Sequence, residues 1–167
     1  MKINAILATD LDYGIGANGD LPWPKNKRDL EWFKKHTAND IVLMGRATWE
    51  SLYVKPLPNR VNVVASTKKL PHPKDGGPDH VFEGDLNRRD LELLFGELYP
   101  EKDTIWIMGG ANVYHQSLSF CDKLYLTTFR KNYKCDRYVE SDIIVKFPII
   151  EYWEEDDEVT FQIRGKK

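Results

Sequence analysis

The sequence contains few cysteines, few histidines and no excess of basic residues. Its 167 residues include two cysteines, Cys121 and Cys135, and four histidines, with no C-x-x-C spacing and no histidine cluster. A disulfide scaffold or a metal site is therefore not expected, and the composition suits a reducing cytoplasm. The net charge of −2 argues against a nucleic-acid-binding surface, which normally shows a clear basic excess. The N-terminal apolar run ends by Thr9, which is too short for a signal peptide or a membrane span.

Apolar segments alternate with amphipathic segments along most of the chain. The pattern predicts buried strands at residues 3–9, 41–45, 61–66, 104–108 and 123–129, and helices at 27–36, 46–52, 87–99 and 111–118. Repeated strand–helix–strand units imply an α/β fold, in which a mostly parallel central sheet is covered by helices on both faces. Residues 149–163 predict a pair of antiparallel C-terminal edge strands joined by the acidic stretch 154–158. The length predicts a single domain spanning 1–167.

Two local patterns refine the prediction for the helix at 87–99. Asn87 is suited to cap its N-terminus. Leu91, Leu94, Phe95 and Leu98 follow at i, i+3, i+4 and i+7, which is the spacing of one buried helical face. We therefore expect all four side chains to pack against the sheet.

The segment GIGANGDLPW, residues 14–23, matches the dinucleotide fingerprint G-x-G-x-x-G letter for letter. That fingerprint binds a pyrophosphate only when its glycines lead from a strand directly into a helix. Pro22 and Pro24 move the residues before them out of the helical region, so a helix cannot begin here. We therefore reject a nucleotide site at these glycines and predict a glycine-rich loop.

Three predicted strands end in residues that suit an anion. The strands lead into MGRAT at 44–48, STK at 66–68 and GGAN at 109–112. In a parallel sheet all three ends lie at one edge, where such folds bind their ligands. Each junction alone is equally compatible with a tight turn or a solvated surface. Together they favour an extended phosphorylated ligand at this edge.

Asp29 is the carboxylate with the most suggestive surroundings. On the predicted helix it shares a face with Trp32 and Phe33, at i+3 and i+4. Partial desolvation by these rings would raise its pKa, and the group could hold a proton or bind an amidine-like edge with two hydrogen bonds. The alternative is a first-turn acid that points to water and complements the helix dipole.

Taken together, these segments resemble the dihydrofolate reductase family. The match runs in order through GIG with LPW, DLEWF, MGRATWESL with PLPNR, IMGGANVYHQ and KLYLTT, and it fades beyond Tyr133. The resemblance implies NADPH-dependent reduction of 7,8-dihydrofolate to 5,6,7,8-tetrahydrofolate in support of one-carbon metabolism. It also implies a monomer that binds antifolate inhibitors. The segment between Trp23 and Asp29 is one residue longer than usual.

The resemblance implies a substrate site centred on Asp29. This carboxylate would bind the 2-amino and N3 groups of the pterin, supported by Thr127. The loop at residues 14–23 would close over the reacting rings, so Leu21 and Trp23 join the catalytic set. Arg60 would bind the glutamate α-carboxylate. The remaining implied substrate contacts are Ile6, Leu30, Phe33, Leu52, Lys55, Leu57, Met108 and Tyr114.

The resemblance places NADPH along the three strand ends. The 2′-phosphate is expected at Arg46, Ser66, Thr67 and Lys68. The pyrophosphate is expected at Thr48 and at the Gly109–Gly110 helix start, whose peptide is cis in this family. Ala8 would bind the carboxamide. The other implied cofactor contacts are Ile15, Gly16, Asn18, Gly19, Gly45, Ala47, Met108, Ala111, Asn112, Val113 and Tyr114.

Two other functions remain open on the sequence. One is a pteridine or pyrimidine reductase of the same fold, such as those of riboflavin synthesis. The other is a non-catalytic member kept as a structural or interaction protein. Asp29, Phe33 and Arg60 favour a folate with a glutamate tail, and an intact set of ligand residues opposes the loss of activity.

Overall fold

The computed structural model describes residues 1–167, and it contains ten strands and five α-helices. The strands are β1 Lys2–Thr9, β2 Gly14–Gly16, β3 Ile41–Gly45, β4 Val61–Ala65, β5 His80–Phe82, β6 Thr104–Ile107, β7 Lys123–Phe129, β8 Arg137–Tyr138, β9 Ile149–Glu155 and β10 Val159–Gly165. The helices are α1 Lys27–Thr37, α2 Arg46–Ser51, α3 Arg88–Leu98, α4 Ala111–Ser117 and α5 Ile143–Lys146. None of them is long and apolar enough to cross a membrane.

Eight strands form one sheet in the order β5-β4-β3-β6-β1-β7-β10-β9. Every pair from β5 to β7 is parallel, whereas β10 runs antiparallel to both β7 and β9. The predicted α/β architecture with an antiparallel C-terminal pair is therefore confirmed. The acidic turn is shorter than predicted because β9 continues to Glu155, and the Asp156 carboxylate then accepts from the N–H groups of Glu158 and Val159.

The two faces of the sheet bury separate apolar clusters. Along β1, Ile3, Ala5 and Leu7 point into one cluster and Ile6 into the other, as the period of a strand requires. Helices α3, α4 and α5 contribute to the first cluster, and α1 and α2 to the second. Helices therefore cover both faces, as predicted.

The prediction for α3 was only half right. Asn87 does cap the helix, and its side chain accepts from the N–H of Asp90 at 2.9 Å. Leu91 and Phe95 are fully buried, but Leu94 and Leu98 are 42% and 49% exposed. Only Leu91 and Phe95, at i and i+4, pack into the cluster on this face of the sheet. Leu94 and Leu98, at i+3 and i+7, lie beside that contact and stay partly exposed to solvent.

Four short elements, β2, β5, β8 and α5, were not predicted. Each has two to four residues, which is too short for a periodic pattern to be recognised. Strands β2 and β8 pair with each other outside the main sheet. This pairing ties the glycine-rich segment to a part of the chain that lies more than a hundred residues later.

Candidate active site

The strand order brings the three predicted strand ends together. Strands β4, β3 and β6 are consecutive neighbours in the sheet, followed by β1 and β7. The N–H of Gly45 donates to the carbonyl of Gly109 at 2.7 Å. On β7, Thr127 is paired in register with Ala8 of β1. One edge of the sheet therefore carries the anion-suited residues and continues to Thr127.

The helix starts at this edge leave backbone groups available. Gly45 and Gly110 precede α2 and α4, and neither helix has a side-chain cap. The first N–H groups of a helix have no partner inside it. The Gly109–Gly110 peptide is cis, as the resemblance implies. A Cβ atom on Gly110 would lie 3.3 Å from the Thr48 hydroxyl, so a larger residue would fill the space between the two helix starts.

The side chains predicted for the 2′-phosphate lie around the same edge. The Arg46 guanidinium forms an ion pair with Glu50 at 2.8 Å, one turn further along α2. The Ser66 hydroxyl accepts from the N–H of Lys68 at 3.0 Å in a tight turn after β4. Thr67 and Lys68 are exposed, as are Ala47 and Asn112 at the two helix starts. The cationic and hydroxyl groups thus face solvent beside the free helix ends.

Asp29 does not point to open water. The Asn26 side chain caps α1 by accepting from the N–H of Asp29 at 2.9 Å, which fixes the first turn. Asp29 is half-buried, Trp32 is buried and Phe33 is half-buried, as the helical spacing predicts. Burial raises the pKa of Asp29, and a hydrogen bond with the Thr127 side chain partly opposes that rise. This partial burial opposes the alternative in which the carboxylate points to open water.

Buried backbone and side-chain groups surround this carboxylate. The Tyr114 hydroxyl donates to the carbonyl of Ile6 at 2.7 Å. Burial, with smaller contributions from the charges of Cys121 and Asp29, raises the pKa of Tyr114 far above its usual range. Met108 is half-buried, and Val113 is buried in the core with its side chain next to Gly45.

The side chains predicted to form the p-aminobenzoyl slot are half-buried on and beside α1. Phe33, Leu52 and Leu57 pack against the second apolar cluster. The Arg60 guanidinium lies 5.7 Å from the centroid of the Phe33 ring and donates to Thr37 Oγ1 at 3.0 Å. Burial lowers the pKa of Arg60, although a guanidinium remains charged under all ordinary conditions. A fixed cation therefore stands at the end of an apolar slot.

Two predicted substrate residues lie further out. Lys55 is exposed, with its ammonium 6.0 Å from the Trp49 ring centroid and 3.5 Å from the Glu50 carbonyl. Leu30 is 44% exposed on the outer side of α1. Lys55 therefore makes no contact with the Arg60 end of the slot.

Asn62 is a positioning residue that the sequence analysis missed. It is fully buried, and its amide donates to the carbonyls of Leu57 and Arg60 and accepts from the N–H of Leu57. It thereby holds the turn that carries one wall and the cation of the slot. The sequence indicates this role only by placing one polar residue, Asn62, in the otherwise apolar strand VNVVA.

No helix begins in the glycine-rich segment, as predicted, and the segment instead forms a hairpin turn. Ala17 and Asp20 exchange backbone hydrogen bonds of 2.9 and 3.1 Å around Asn18 and Gly19. Both turn residues have positive φ, 53° and 79°, which is the signature of a type I′ turn. The last glycine of the apparent fingerprint therefore serves a turn.

The loop then passes from an exposed tip to a buried anchor. Leu21 is 59% exposed and Ile15 is half-buried. Trp23 is buried and stacks on Phe129, with 4.4 Å between ring centroids. The longer segment that follows ends in Arg28, which turns away to pair with Glu154 and with Asp156 of the β9–β10 turn.

Comparisons with known proteins identify the family of this chain. A family model described as dihydrofolate reductase matches residues 2–163. A dihydrofolate reductase of Buchnera aphidicola from Baizongia pistaciae is 34% identical over 174 aligned positions, covering 99% of both chains. A second, from Buchnera aphidicola of Schizaphis graminum, is 36% identical over 127 residues, covering 76% of this chain and 71% of that protein.

A solved structure extends the likeness to the fold. Dihydrofolate reductase from Enterococcus faecalis, complexed with NADP(H) and RAB-propyl, is 23% identical with a TM-score of 0.79, covering 99% of this chain and 96% of that one. The matched family model spans nearly all of the sheet and every element of the candidate site. The chain is a member of the dihydrofolate reductase family.

Proposed function

We propose that the protein reduces 7,8-dihydrofolate to 5,6,7,8-tetrahydrofolate with NADPH, in support of one-carbon metabolism. The observation that carries this proposal is the half-buried Asp29 carboxylate beside Thr127, next to the edge where the three strand ends meet. A flat pterin presents a 2-amino group and a ring nitrogen that match the two oxygens of such a carboxylate. Family membership supports the same reaction.

The residues at the sheet edge fit NADPH. Gly110 leaves a space beside Thr48 that a side chain would fill, and the uncapped helix starts offer N–H groups to a pyrophosphate. Arg46, Ser66, Thr67 and Lys68 are proposed to bind the 2′-phosphate. Ala8 is proposed to hold the carboxamide through its backbone. When bound, NADPH supplies the hydride that reduces C6 of the pterin.

The protein then contributes position, polarity and exclusion of water. Asp29 and Thr127 orient the pterin and favour a proton at N5, where the transition state gathers charge. Phe33, Leu52 and Leu57 hold the p-aminobenzoyl ring, and Arg60 binds the glutamate. Well-aligned reactants can lower a barrier by roughly 7–11 kcal/mol, so positioning is proposed to supply much of the acceleration. The loop at 14–23 excludes water while it is closed and releases product when it opens.

We further propose that the active unit is one domain acting as a cytoplasmic monomer. Strands from both ends of the chain lie in the same sheet, which supports a single domain. The two cysteines are free and buried, which suits a reducing compartment. Small-molecule antifolates are the expected inhibitors.

The test is direct. The purified protein is mixed with 7,8-dihydrofolate and NADPH, and the loss of NADPH absorbance is followed. Steady oxidation that requires both compounds supports the proposal. If NADPH is oxidised by an oxidised or dihydro pteridine that lacks the glutamate tail, and is not oxidised by dihydrofolate, the protein is instead a pteridine reductase.

A further inference from the structure

Asp10 is the least solvent-exposed acidic residue in the structure, and the proposed reaction assigns it no role. It follows β1 directly and is 1% exposed. Its Oδ1 accepts from the N–H groups of Asp12 at 2.9 Å and Gly14 at 2.8 Å. Its Oδ2 accepts from the N–H of Tyr133 at 3.0 Å and the thiol of Cys135 at 3.4 Å. One carboxylate thus joins two segments that lie far apart in sequence.

Each of the two segments contains a non-glycine residue in the left-handed backbone conformation. Tyr13 lies between the two donors to Oδ1 and has φ 64°, and Lys134 lies between the two donors to Oδ2 and has φ 53°. For residues other than glycine the left-handed region costs on the order of 1 kcal/mol or more. Each carboxylate oxygen therefore stabilises a strained turn by bonding the residues on either side of it.

The two turns also pack directly on each other. A Cβ atom on Gly14 would lie 2.4 Å from the Cys135 sulfur, so only glycine permits this approach. Strand β2, which begins at Gly14, pairs with β8, and the N–H of Asp136 donates to the Gly16 carbonyl at 2.9 Å. The first half of the 14–23 loop is thereby attached to the segment that Asp10 holds.

Asp10 is also connected to the second half of the 14–23 loop, because Tyr133, which donates to its carboxylate, contacts Trp23. The Tyr133 ring lies edge-on to Trp23, with 6.1 Å between centroids, and Trp23 stacks on Phe129. Burial opposes ionisation of Asp10, but hydrogen bonds from Tyr133, Gly14, Cys135 and Asp12 together hold its pKa below the ordinary value. Asp10 is therefore ionised at neutral pH, and hydrogen bonds to a charged group are the stronger kind.

We propose that Asp10 is a positioning residue that holds the 14–23 loop in the closed arrangement required for hydride transfer. The inference rests on the proposed reductase function, and it deepens that function by naming the group that sets the loop. Asp10 touches neither substrate nor cofactor in this proposal. It acts through the backbone of Gly14 and through the contact of Tyr133 with Trp23.

The test compares two carboxylates at opposite ends of β1. Asp10→Asn retains size but loses acceptors for the loop. The control, Asp122→Asn, changes a carboxylate that accepts from the N–H of Ile3 and from Arg88 and whose pKa is also lowered. Single-turnover hydride transfer is measured at saturating ligands, together with dihydrofolate affinity and urea stability.

We expect Asp10→Asn to slow hydride transfer about tenfold or more, since small misplacements near reacting groups are costly. Dihydrofolate affinity should stay within about twofold, because the pterin and glutamate contacts lie on other elements. Asp122→Asn should lose stability and keep the wild-type rate. A normal rate in folded Asp10→Asn, or equal slowing in Asp122→Asn, would overturn the proposal.

A second pair of variants decides the matter if Asp10→Asn does not fold. Cys135→Ser retains a donor to Asp10 Oδ2, whereas Cys135→Ala removes it. We expect the serine variant to transfer hydride near the wild-type rate and the alanine variant to be about threefold slower or more. Equal rates in both variants would contradict the proposal.

Amide hydrogen exchange separates this inference from the proposed function. The N–H groups of Gly14 and Tyr133 should exchange about tenfold faster in Asp10→Asn than in wild type, a change that needs no catalysis to be seen. If wild type fails to oxidise NADPH, the proposed function is wrong, and exchange still reports on the loop. If wild type turns over and Asp10→Asn has unchanged exchange and rate, only the positioning role is wrong.

Discussion

At the residue scale, the charged groups of the site differ in what they already contact. Asp29 is half-buried against aromatic rings and bonded to Thr127. Arg60 is fixed over Phe33, whereas Arg46 is paired with Glu50 on an exposed helix face. The two charges proposed to bind substrate are therefore held by their neighbours, whereas the cation proposed to bind the 2′-phosphate would exchange Glu50 for another anionic partner.

Asp29→Asn should lower turnover at neutral pH by on the order of 10²-fold, the scale of a missing proton-transfer group. The amide preserves shape but cannot carry the charge that favours a proton on the substrate. Activity should partly recover as pH falls and solvent protonates the substrate instead. The wild-type rate should decline on the alkaline side, as the coupled pair of Asp29 and substrate loses the proton that they share, with an apparent pKa above that of a free Asp. A pH–rate profile of both proteins measures this, and near-normal turnover of the variant at pH 7 would contradict the mechanism.

Arg46→Ala should erode the preference for NADPH over NADH. A charge-assisted hydrogen bond contributes about 1.5–3 kcal/mol, so kcat/KM for NADPH should fall roughly 10- to 100-fold with little change for NADH. Steady-state kinetics with both cofactors provide the measurement, and NADH is the internal control. Equal losses with the two cofactors would show that Arg46 serves only the fold of α2.

Arg60→Ala should weaken the binding of dihydrofolate far more than that of a pteridine without the glutamate tail. The lost contact is a charged, bidentate one, so a reduction of roughly tenfold or more in affinity is expected. Fluorescence titration with the two ligands gives the comparison. A uniform loss for both would mean that Arg60 supports the slot through Thr37 and Phe33 alone.

At the element scale, the glycine-rich loop is defined by its turn and its anchors. Asn18 and Gly19 shape the tip, the N–H of Asn18 donates to the Asp136 carboxylate at 2.9 Å, and Trp23 is buried at the base. The tip itself is exposed. A change at the tip should therefore alter closure of the loop without disturbing the core.

Gly19→Ala tests this at a position where nothing lies within 4 Å of an added Cβ atom, so the change adds only backbone strain at φ 79°. Gly84→Ala is the matched control, with φ 94° and an equally open surrounding on another loop. Each substitution should cost about 1–2 kcal/mol locally. Only Gly19→Ala should slow turnover, by about two- to fivefold, and similar kinetics for the two variants would contradict a role for the tip.

At the scale of the whole molecule, the sheet face that is covered by α1 and α2 carries a cluster of aromatic rings, and the His36 imidazole packs within it. His36 packs 4.3 Å from Trp32 and 4.8 Å from Tyr125 between ring centroids, and its Nε2 has no hydrogen-bond partner. Burial, reinforced by the charge of Lys35, lowers the pKa of His36 to about 4. The folded protein therefore keeps this ring neutral in mildly acidic solution.

Stability should consequently fall as the pH decreases from about 6.5 to about 4. In that window the unfolded chain binds a proton at His36 and the folded chain does not, so protonation favours unfolding by up to about 3 kcal/mol. Urea unfolding at a series of pH values measures the slope. His36→Phe, which retains an aromatic ring, should flatten it, and an identical slope in the variant would assign the acid sensitivity to other groups.

Several features of the protein are determined by its sequence alone because they depend on short-range steric and hydrogen-bonding rules. Pro22 and Pro24 exclude a helix after the glycines whatever the rest of the chain does. The spacing of Asp29, Trp32 and Phe33 places them on one helical face, and their partial burial followed as expected. Alternation of strands and helices was sufficient to predict the parallel sheet and the common edge of its three strand ends.

Other features were decided only by the tertiary structure, because they depend on residues far apart in sequence. Leu94 and Leu98 have the period of a buried face, yet α3 meets the sheet along a line too narrow to cover them. The pairing of β2 with β8 and the four donors gathered by Asp10 join segments separated by more than a hundred residues. No local sequence pattern predicts such contacts. They can form, and stabilise the fold, only after the sheet has placed the two segments side by side.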